Sequence, residues 1–205
     1  MRRAAFLPFA CFLLFACAPP APEAGNNQAA SPPPQPALAA ETSLEGVTNL
    51  DVQYYEVSGN SLFEIRRALN RVRPRDPNDG LGVDALSSWY IAWRWPGNAD
   101  GGCDLARAEI RFSARIRMPR LVETAATPAA VRQRWRAYAA ALQRHEAKHI
   151  RHAWDNRNLV LTAIRASSCA NASRDAQAAI ATLARHDIDY DRQTRHGATE
   201  GAHFP

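Results

Sequence analysis

Nowhere in this 205-residue chain do basic residues run together with interleaved aromatics, the footprint of a nucleic-acid-binding surface. The formal net charge is only +5, and Arg2 and Arg3 contribute to it from a segment expected to be removed. Such an excess is too mild to draw nucleic acid, and the charged residues mostly fall on helix faces, as solvated surfaces do. The N-terminal apolar run, Ala4 to Ala16, falls short of the roughly 20 residues needed to span a bilayer. No internal repeat is present, which excludes a solenoid. Proline is sparse except in one place: of 14 residues, seven fall between Pro19 and Pro36, marking a local segment distinct from the folded part.

The first residues have the form of an export signal. Met1-Arg2-Arg3 supplies a positive start, and AAFLPFACFLLFA supplies a short apolar stretch interrupted by Pro8. Ala16-Cys17-Ala18 offers one cleavage pattern, but the cut would fall before Pro19, a poor peptidase subsite. Leu14-Phe15-Ala16-Cys17 resembles the bacterial lipoprotein box, in which cleavage precedes the cysteine and the Cys17 thiol carries the lipid. The expected division is a signal peptide at 1–16, a Pro/Ala-rich tether at 17–45 and a folded domain at 46–205. The tether has almost no large apolar side chain and cannot bury enough surface to fold. Ala18 following the cysteine, by resemblance to Gram-negative lipoproteins, implies sorting to the outer membrane, facing the periplasm. Of four cysteines, Cys11 goes with the signal and Cys17 with the lipid. Cys103 and Cys169 remain and are expected to pair in an oxidising compartment.

Asp51 to Val57 is rich in β-formers and reads as a strand. Ser61 followed by Glu64 forms a capping box for a helix whose apolar residues Leu62, Ile65, Leu69 and Val72 keep helical spacing. Arg73 to Gly82 is a loop rich in Pro, Asp and Gly. Ala85 to Trp95 reads as a strand, and Leu105 to Met118 alternates apolar and arginine residues as a half-buried antiparallel strand does, with Pro119 ending it. Thr127 and Pro128 then open a long helix as N-cap and first helical residue. It is expected to reach at least Asp155 and to extend as far as Ser167; a second helix runs from near Ser173 past Ile188. The expected fold is α+β, with helices on one side of a small antiparallel sheet.

On the long helix, at 100° per residue, Val131, Trp135, Tyr138 and Leu142 form one apolar stripe that continues into His145 and His149. Two imidazoles one turn apart and facing inward can hold one zinc ion, and Glu146 between them completes H-E-x-x-H. There zinc lowers the pKa of a bound water and the carboxylate takes its proton, an assembly suited to attack on a carbonyl. A third protein ligand is needed. His152 lies on the same helix face, but three ligands on one straight helix rarely converge. On the second helix the stripe of Ile180 and Leu183 continues through Asp187, Tyr190, Asp191 and Thr194, followed by His196-Gly197. His196 is the first candidate for third ligand and Asp191 the second; Tyr190 is the candidate oxyanion donor.

The segments YYEVSG (54–59), GCDL (102–105), HEAKH (145–149) and YDRQTRHG (190–197) together resemble domain-of-unknown-function family 922, described as predicted secreted zinc-dependent proteases. The resemblance covers about Val52 to Gly201. It implies a zincin-like fold, with His145, Glu146 and His149 as the matching site residues. The expected function is thus a zinc metallopeptidase held in the periplasm by a lipid anchor, acting on a peptide or protein of the cell envelope. Two alternatives stand beside it: a non-catalytic envelope lipoprotein that binds or scaffolds through the domain, and a zinc amidase acting on cell-wall peptides. Glu146 separates hydrolysis from a purely structural zinc site, which does not need that carboxylate.

Overall fold

The computed structural model describes residues 44–205. The expected signal peptide, the Cys17 lipidation site and the tether up to residue 43 lie outside the described residues. Leu44 and Glu45, expected as tether, already belong to the fold: Leu44 is buried in the core, and the Glu45 carbonyl accepts from Arg151 Nη2 at 3.2 Å.

Three strands form the sheet: β1 (Leu50–Ser58), β2 (Leu86–Arg94) and β3 (Glu109–Val122), in the order β1-β3-β2. β3 alternates as its sequence requires, with Phe112, Ala114, Ile116 and Met118 buried and Arg111, Arg115 and Arg117 exposed. β2 runs antiparallel to β3 from Leu86 opposite Arg117 to Arg94 opposite Glu109. β1, however, runs parallel to β3, from Leu50 opposite Ala114 to Ser58 opposite Val122. The sheet is therefore mixed, not antiparallel as expected. The cause is the connection: the chain leaves β1 through helix α1 (Leu62–Val72), returns as β2, and only then inserts β3 between the two. Alternation along a strand reports which face is buried and carries no record of neighbour direction.

Pro119 does not end β3; it pairs opposite Tyr55 within the strand. It lies beyond Arg117, where β2 stops pairing, so β3 has a single neighbour there. A proline lacking its N–H is tolerated on such a free side. The expected strand start at Leu105 is instead a 3₁₀ turn over Leu105–Arg107, capped by the Asp104 side chain accepting from Arg107 N.

α1 opens as expected on Ser61, whose Oγ accepts from Glu64 N at 3.2 Å, while Glu64 Oε2 accepts from Asn60 N, one residue before the cap, at 2.7 Å. The long helix, α2, spans Ala129–Asn156 and is followed after a single residue by α3 (Asn158–Arg165). Thr127 does not cap α2: Pro128 is the N-cap, and Thr127 Oγ1 binds Thr124 N and Asn60 Oδ1, tying the entry of α2 to the start of α1. The break at Arg157 follows a tightened turn, in which Arg157 N reaches the Trp154 carbonyl and Asn156 Nδ2 takes the His152 carbonyl. α4 (Ala172–Thr194) completes the helices.

The helices pack on the buried face of the sheet, and one apolar core joins Ile65 and Leu69 of α1, Ile91, Phe112 and Ile116 of the strands, Trp135, Tyr138 and Ile150 of α2, and Leu183 of α4. The chain after α4 folds back over α2, where Phe204 packs on Trp135 and Tyr138 at ring-centre distances of 5.5 and 5.0 Å. Asp84 ties three elements to this core, taking Tyr138 OH at 2.8 Å and Arg66 Nη1 at 3.0 Å on its carboxylate and Tyr55 OH on its carbonyl at 2.6 Å.

Cys103 and Cys169 stand in disulfide geometry, Cα atoms 5.7 Å apart and 66 residues apart in sequence. They pin the start of the β3 region to the α3–α4 turn. Replacing both with alanine is expected to lower the unfolding free energy by about 4 kcal/mol, the loop-closure entropy of a ring this long. A denaturant midpoint that does not move would show that the crosslink carries no stability.

Candidate metal centre

The inward stripe of α2 is present as its spacing predicts. Trp135, Tyr138, Leu142, His145 and His149 are buried and Val131 is half-buried, while Arg136, Arg144 and Lys148 are exposed and Arg132 and Arg151 half-buried. α4 crosses this stripe and brings a carboxylate to the imidazole pair. His145 Nε2 and His149 Nε2 are 3.3 Å apart, and Asp191 Oδ1 lies 3.0 Å from the first and 3.1 Å from the second. Ligands held about 2.0–2.1 Å from a tetrahedral zinc lie about 3.3 Å from one another. The three atoms thus form one face of such a tetrahedron, with the remaining vertex left for a fourth ligand. This donor set, two imidazoles and a carboxylate, fits a catalytic zinc, and it is Asp191, the second candidate, that stands in the third position.

The far side of each imidazole is also held. His145 Nδ1 faces Glu200 Oε2 at 2.9 Å and His149 Nδ1 faces Asp187 Oδ1 at 3.1 Å. A carboxylate on Nδ1 keeps the proton there, leaves the Nε2 lone pair for a metal and fixes the ring plane. Both carboxylates are anchored in turn. Trp89 Nε1 donates to Asp187 Oδ2 at 2.7 Å, while Lys148 Nζ and Tyr190 OH donate to Glu200 at 2.5 and 2.6 Å.

The electrostatics match this arrangement. Burial alone would lower the His149 pKa, but hydrogen bonds to Asp187 and Asp191 outweigh it and push it up to about 10. The same balance, with Asp191 and Glu200, raises His145. Burial opposes ionisation of Asp191, yet both imidazoles hold its carboxyl well below the usual range. A metal ion bound among these atoms would take the place of the protons that the two carboxylate-facing imidazoles attract. Glu146 behaves differently. It is buried beside the two histidines, and burial pushes its carboxyl pKa up despite the pull of both imidazoles and the nearby Ser87 hydroxyl.

The centre opens on a cavity of about 280 Å³ lined by His145, Glu146, His149, Asp187 and Asp191, with Ser87 to Trp89 of β2 opposite. His196 also lines this cavity. Its Nδ1 is 3.6 Å from Asp191 Oδ1, but its ring is engaged by Asp76 and Asp79, so it borders the three-ligand cluster instead of completing it. Tyr190 does not line the cavity. Its ring stacks on His145, centres 4.9 Å apart, and its hydroxyl is spent on Glu200, which together with burial raises its pKa far above the ordinary tyrosine value. The structure therefore sets it behind a ligand, where it supports His145, and not at the oxyanion position expected of it. His152 stacks on His186 at 3.4 Å and takes no part in the cluster.

A family model described as "bacterial protein of unknown function (DUF922)" matches residues 52–197. The chain belongs to this family. No curated protein and no solved structure matches it. The DUF922 match contains His145, His149 and Asp191 together with Glu146 and Asp187, and ends at Gly197, short of Glu200. Sequence reasoning missed Glu200 altogether, since it lies on a 3₁₀ turn (Ala198–Glu200) after the last helix and reaches His145 only because the chain reverses there. That reversal is readable in hindsight at Arg195, His196 and Gly197, with φ of 53°, 51° and 79°, a left-handed run for which glycine is the favoured residue.

Gly197 is also in close contact with the centre: a Cβ there would stand 2.8 Å from His145 Cγ, whereas one at Gly201, φ +92°, meets only Ala141 Cβ at 3.5 Å. Both alanine substitutions carry the left-handed strain of about 1–2 kcal/mol. Gly197→Ala is expected to cost more than Gly201→Ala in denaturant unfolding, and it alone should shift the His145 imidazole resonances. Equal costs and an unmoved His145 would show that Gly197 does not hold the ring in place.

Proposed function

We propose that this DUF922 chain is a zinc-dependent hydrolase, a metallopeptidase with a zincin-like fold, exported and lipid-anchored through Cys17 so that it meets peptide or protein substrates of the cell envelope. The observation that carries the reading is the buried triangle of His145 Nε2, His149 Nε2 and Asp191 Oδ1 with the Glu146 carboxyl beside it on the same cavity wall. A structural zinc site is closed by four protein ligands, whereas this one has three and a cavity.

His145 and His149 would hold the ion through Nε2 and Asp191 through Oδ1. Zinc, when bound, supplies Lewis acidity toward a substrate carbonyl and toward water. Glu146 supplies the proton chemistry. Its raised pKa brings the carboxyl toward the range in which it takes a proton from water and returns it to a leaving amine. Asp187 and Glu200 keep the two rings in register, and β2, an edge strand, forms the opposite wall along which an extended peptide chain can lie.

Export rests on residues 1–17 and the tether. Among the described residues no helix is long and apolar enough to cross a membrane.

Elemental mass spectrometry of wild type beside His149→Ala and Glu146→Gln, with hydrolysis measured on unfolded proteins and on purified peptidoglycan, tests the reading. The expected result is a tightly held zinc that His149→Ala removes and Glu146→Gln retains, with hydrolysis falling about 100-fold or more in Glu146→Gln. Release of soluble fragments from peptidoglycan alone would assign the amidase chemistry. Hydrolysis that survives Glu146→Gln unchanged would contradict the role of the carboxylate, and absence of tightly held zinc from metal-reloaded wild type would favour the scaffold reading.

A further inference from the structure

The cavity at the metal centre adjoins a second chamber of about 460 Å³, and Val83, Asp84, Leu142 and His196 line both. The two differ in charge. The first is lined by Asp76, Asp84, Glu146, Asp187 and Asp191, and by no lysine or arginine among the described residues. The second is lined by Arg66, Arg73 and Arg195, and among the described residues Asp84 is the one side-chain carboxylate on its wall. That carboxylate is already satisfied. It takes Arg66 Nη1 at 3.0 Å and Tyr138 OH at 2.8 Å, and Arg66 Nη2 donates to the Phe204 carbonyl at 2.8 Å. Arg66 and Asp84 thus neutralise one another and serve the core.

Arg73 and Arg195 are left over. Arg73 Nη1 stands 3.7 Å from Asp84 Oδ1, beyond hydrogen-bond reach. Arg195 lines the chamber from the turn after α4. Neither guanidinium donates a hydrogen bond among the described residues, and Pro205, on the same wall, pairs with neither. Arg73 is nevertheless held in place. A Cβ built on Gly82 would stand 2.6 Å from Arg73 Nε and 2.9 Å from its Cζ. Gly82 does not lie in the left-handed region, so its backbone does not call for glycine; the missing side chain is the space the guanidinium fills. Gly82 is itself fixed by its bridge to Arg75 and by Val83 N on the Pro74 carbonyl at 3.0 Å. The fold thus sets a guanidinium with unused donors beside the proposed reaction centre.

We propose that Arg73 and Arg195 form a carboxylate-binding subsite next to the metal-centre cavity, one that takes a carboxylate of the substrate, either a peptide terminus or an acidic side chain. A guanidinium presents parallel N–H donors that match the two oxygens of a carboxylate. The acidic lining of the first cavity repels such a group and the adjoining chamber attracts it, so a substrate that reaches both is oriented by charge. The inference rests on the hydrolase reading for the fate of the substrate, whereas the subsite itself is a matter of binding.

The test titrates the whole chain, with and without added zinc, with N-acetyl-alanyl-alanine, its C-terminal amide and the α-amide of N-acetylglutamic acid. Binding is followed on the arginine Nε–Hε resonances, assigned through Arg73→Gln and Arg195→Gln, each variant checked for native circular dichroism. The expected result is that a carboxylate probe shifts both resonances and binds about tenfold or more tightly than the alanyl-alanine amide, with or without zinc. Each glutamine variant should lose most of that preference. Gly82→Ala, which keeps every charge and puts a Cβ where Arg73 lies, should weaken it as well. Tighter binding of N-acetyl-alanyl-alanine would support the subsite with a peptide terminus as the source of the carboxylate; tighter binding of the glutamate probe would support it with an acidic side chain. Equal binding of acids and amide, no binding of any probe, or a preference that survives both glutamine variants would overturn the subsite, whether or not the chain hydrolyses peptides. A carboxylate preference in a chain that neither holds zinc nor hydrolyses peptides would uphold the subsite and contradict the hydrolase reading.

Discussion

The meeting of two buried imidazole nitrogens and one carboxylate oxygen within 3.3 Å, at the wall of a cavity, is the arrangement on which the rest of this structure depends. Such groups are costly to bury unless each polar atom has a partner. The fold supplies those partners from four directions. α2 carries the two rings, α4 brings Asp187 and Asp191, β2 sends Trp89 to hold Asp187, and the chain after α4 returns Glu200 to His145. The return is itself held by Phe204 in the aromatic cluster with Trp135 and Tyr138, about two to three turns before His145 on the same stripe of α2. Packing and ligand geometry are thus set by one helix face, apolar at one end and imidazole at the other.

Much of this was legible in the sequence, for a specific reason in each case. The stripe from Trp135 to His149 follows from helical periodicity alone, and the burial of all its members confirms it. The alternation of Phe112, Ala114, Ile116 and Met118 against arginines identified the inner face of β3 in the same way. Other features leave no periodic trace. The parallel pairing of β1 with β3 depends on which strand is inserted between which, and Pro119 could be accommodated only because β2 ends at Arg117. The choice between Asp191 and His196 turned on the last turn of α4. Asp191 is still helical and points at the α2 rings, whereas His196 lies within a left-handed run that swings it toward Asp76 and Asp79. Glu200 was beyond any motif, since only the reversal at Gly197 brings it to His145.

The site carries an uneven distribution of charge for a chain whose formal balance is positive. The carboxylates facing the cavity are each tied to an imidazole, an indole, a backbone amide or an arginine, except Glu146, which has the Ser87 hydroxyl. At Glu146 burial raises the carboxyl pKa above its ordinary value. Lys148, within the HEAKH segment itself, points outward to Glu200 and so supports His145 from the solvent side. One short helical segment therefore carries the two imidazoles, the buried carboxyl beside them and the ion pair that steadies one of the rings.

The central claim is that His145, His149 and Asp191 surround a metal, and a crystal structure of the zinc-loaded protein with anomalous data collected on both sides of the zinc absorption edge tests it most directly. The account predicts an anomalous peak about 2.0–2.1 Å from both Nε2 atoms and from Asp191 Oδ1, with Glu146 outside the coordination shell. The claim would be contradicted if density at that point were absent under saturating zinc, with the three side chains still joined by direct hydrogen bonds.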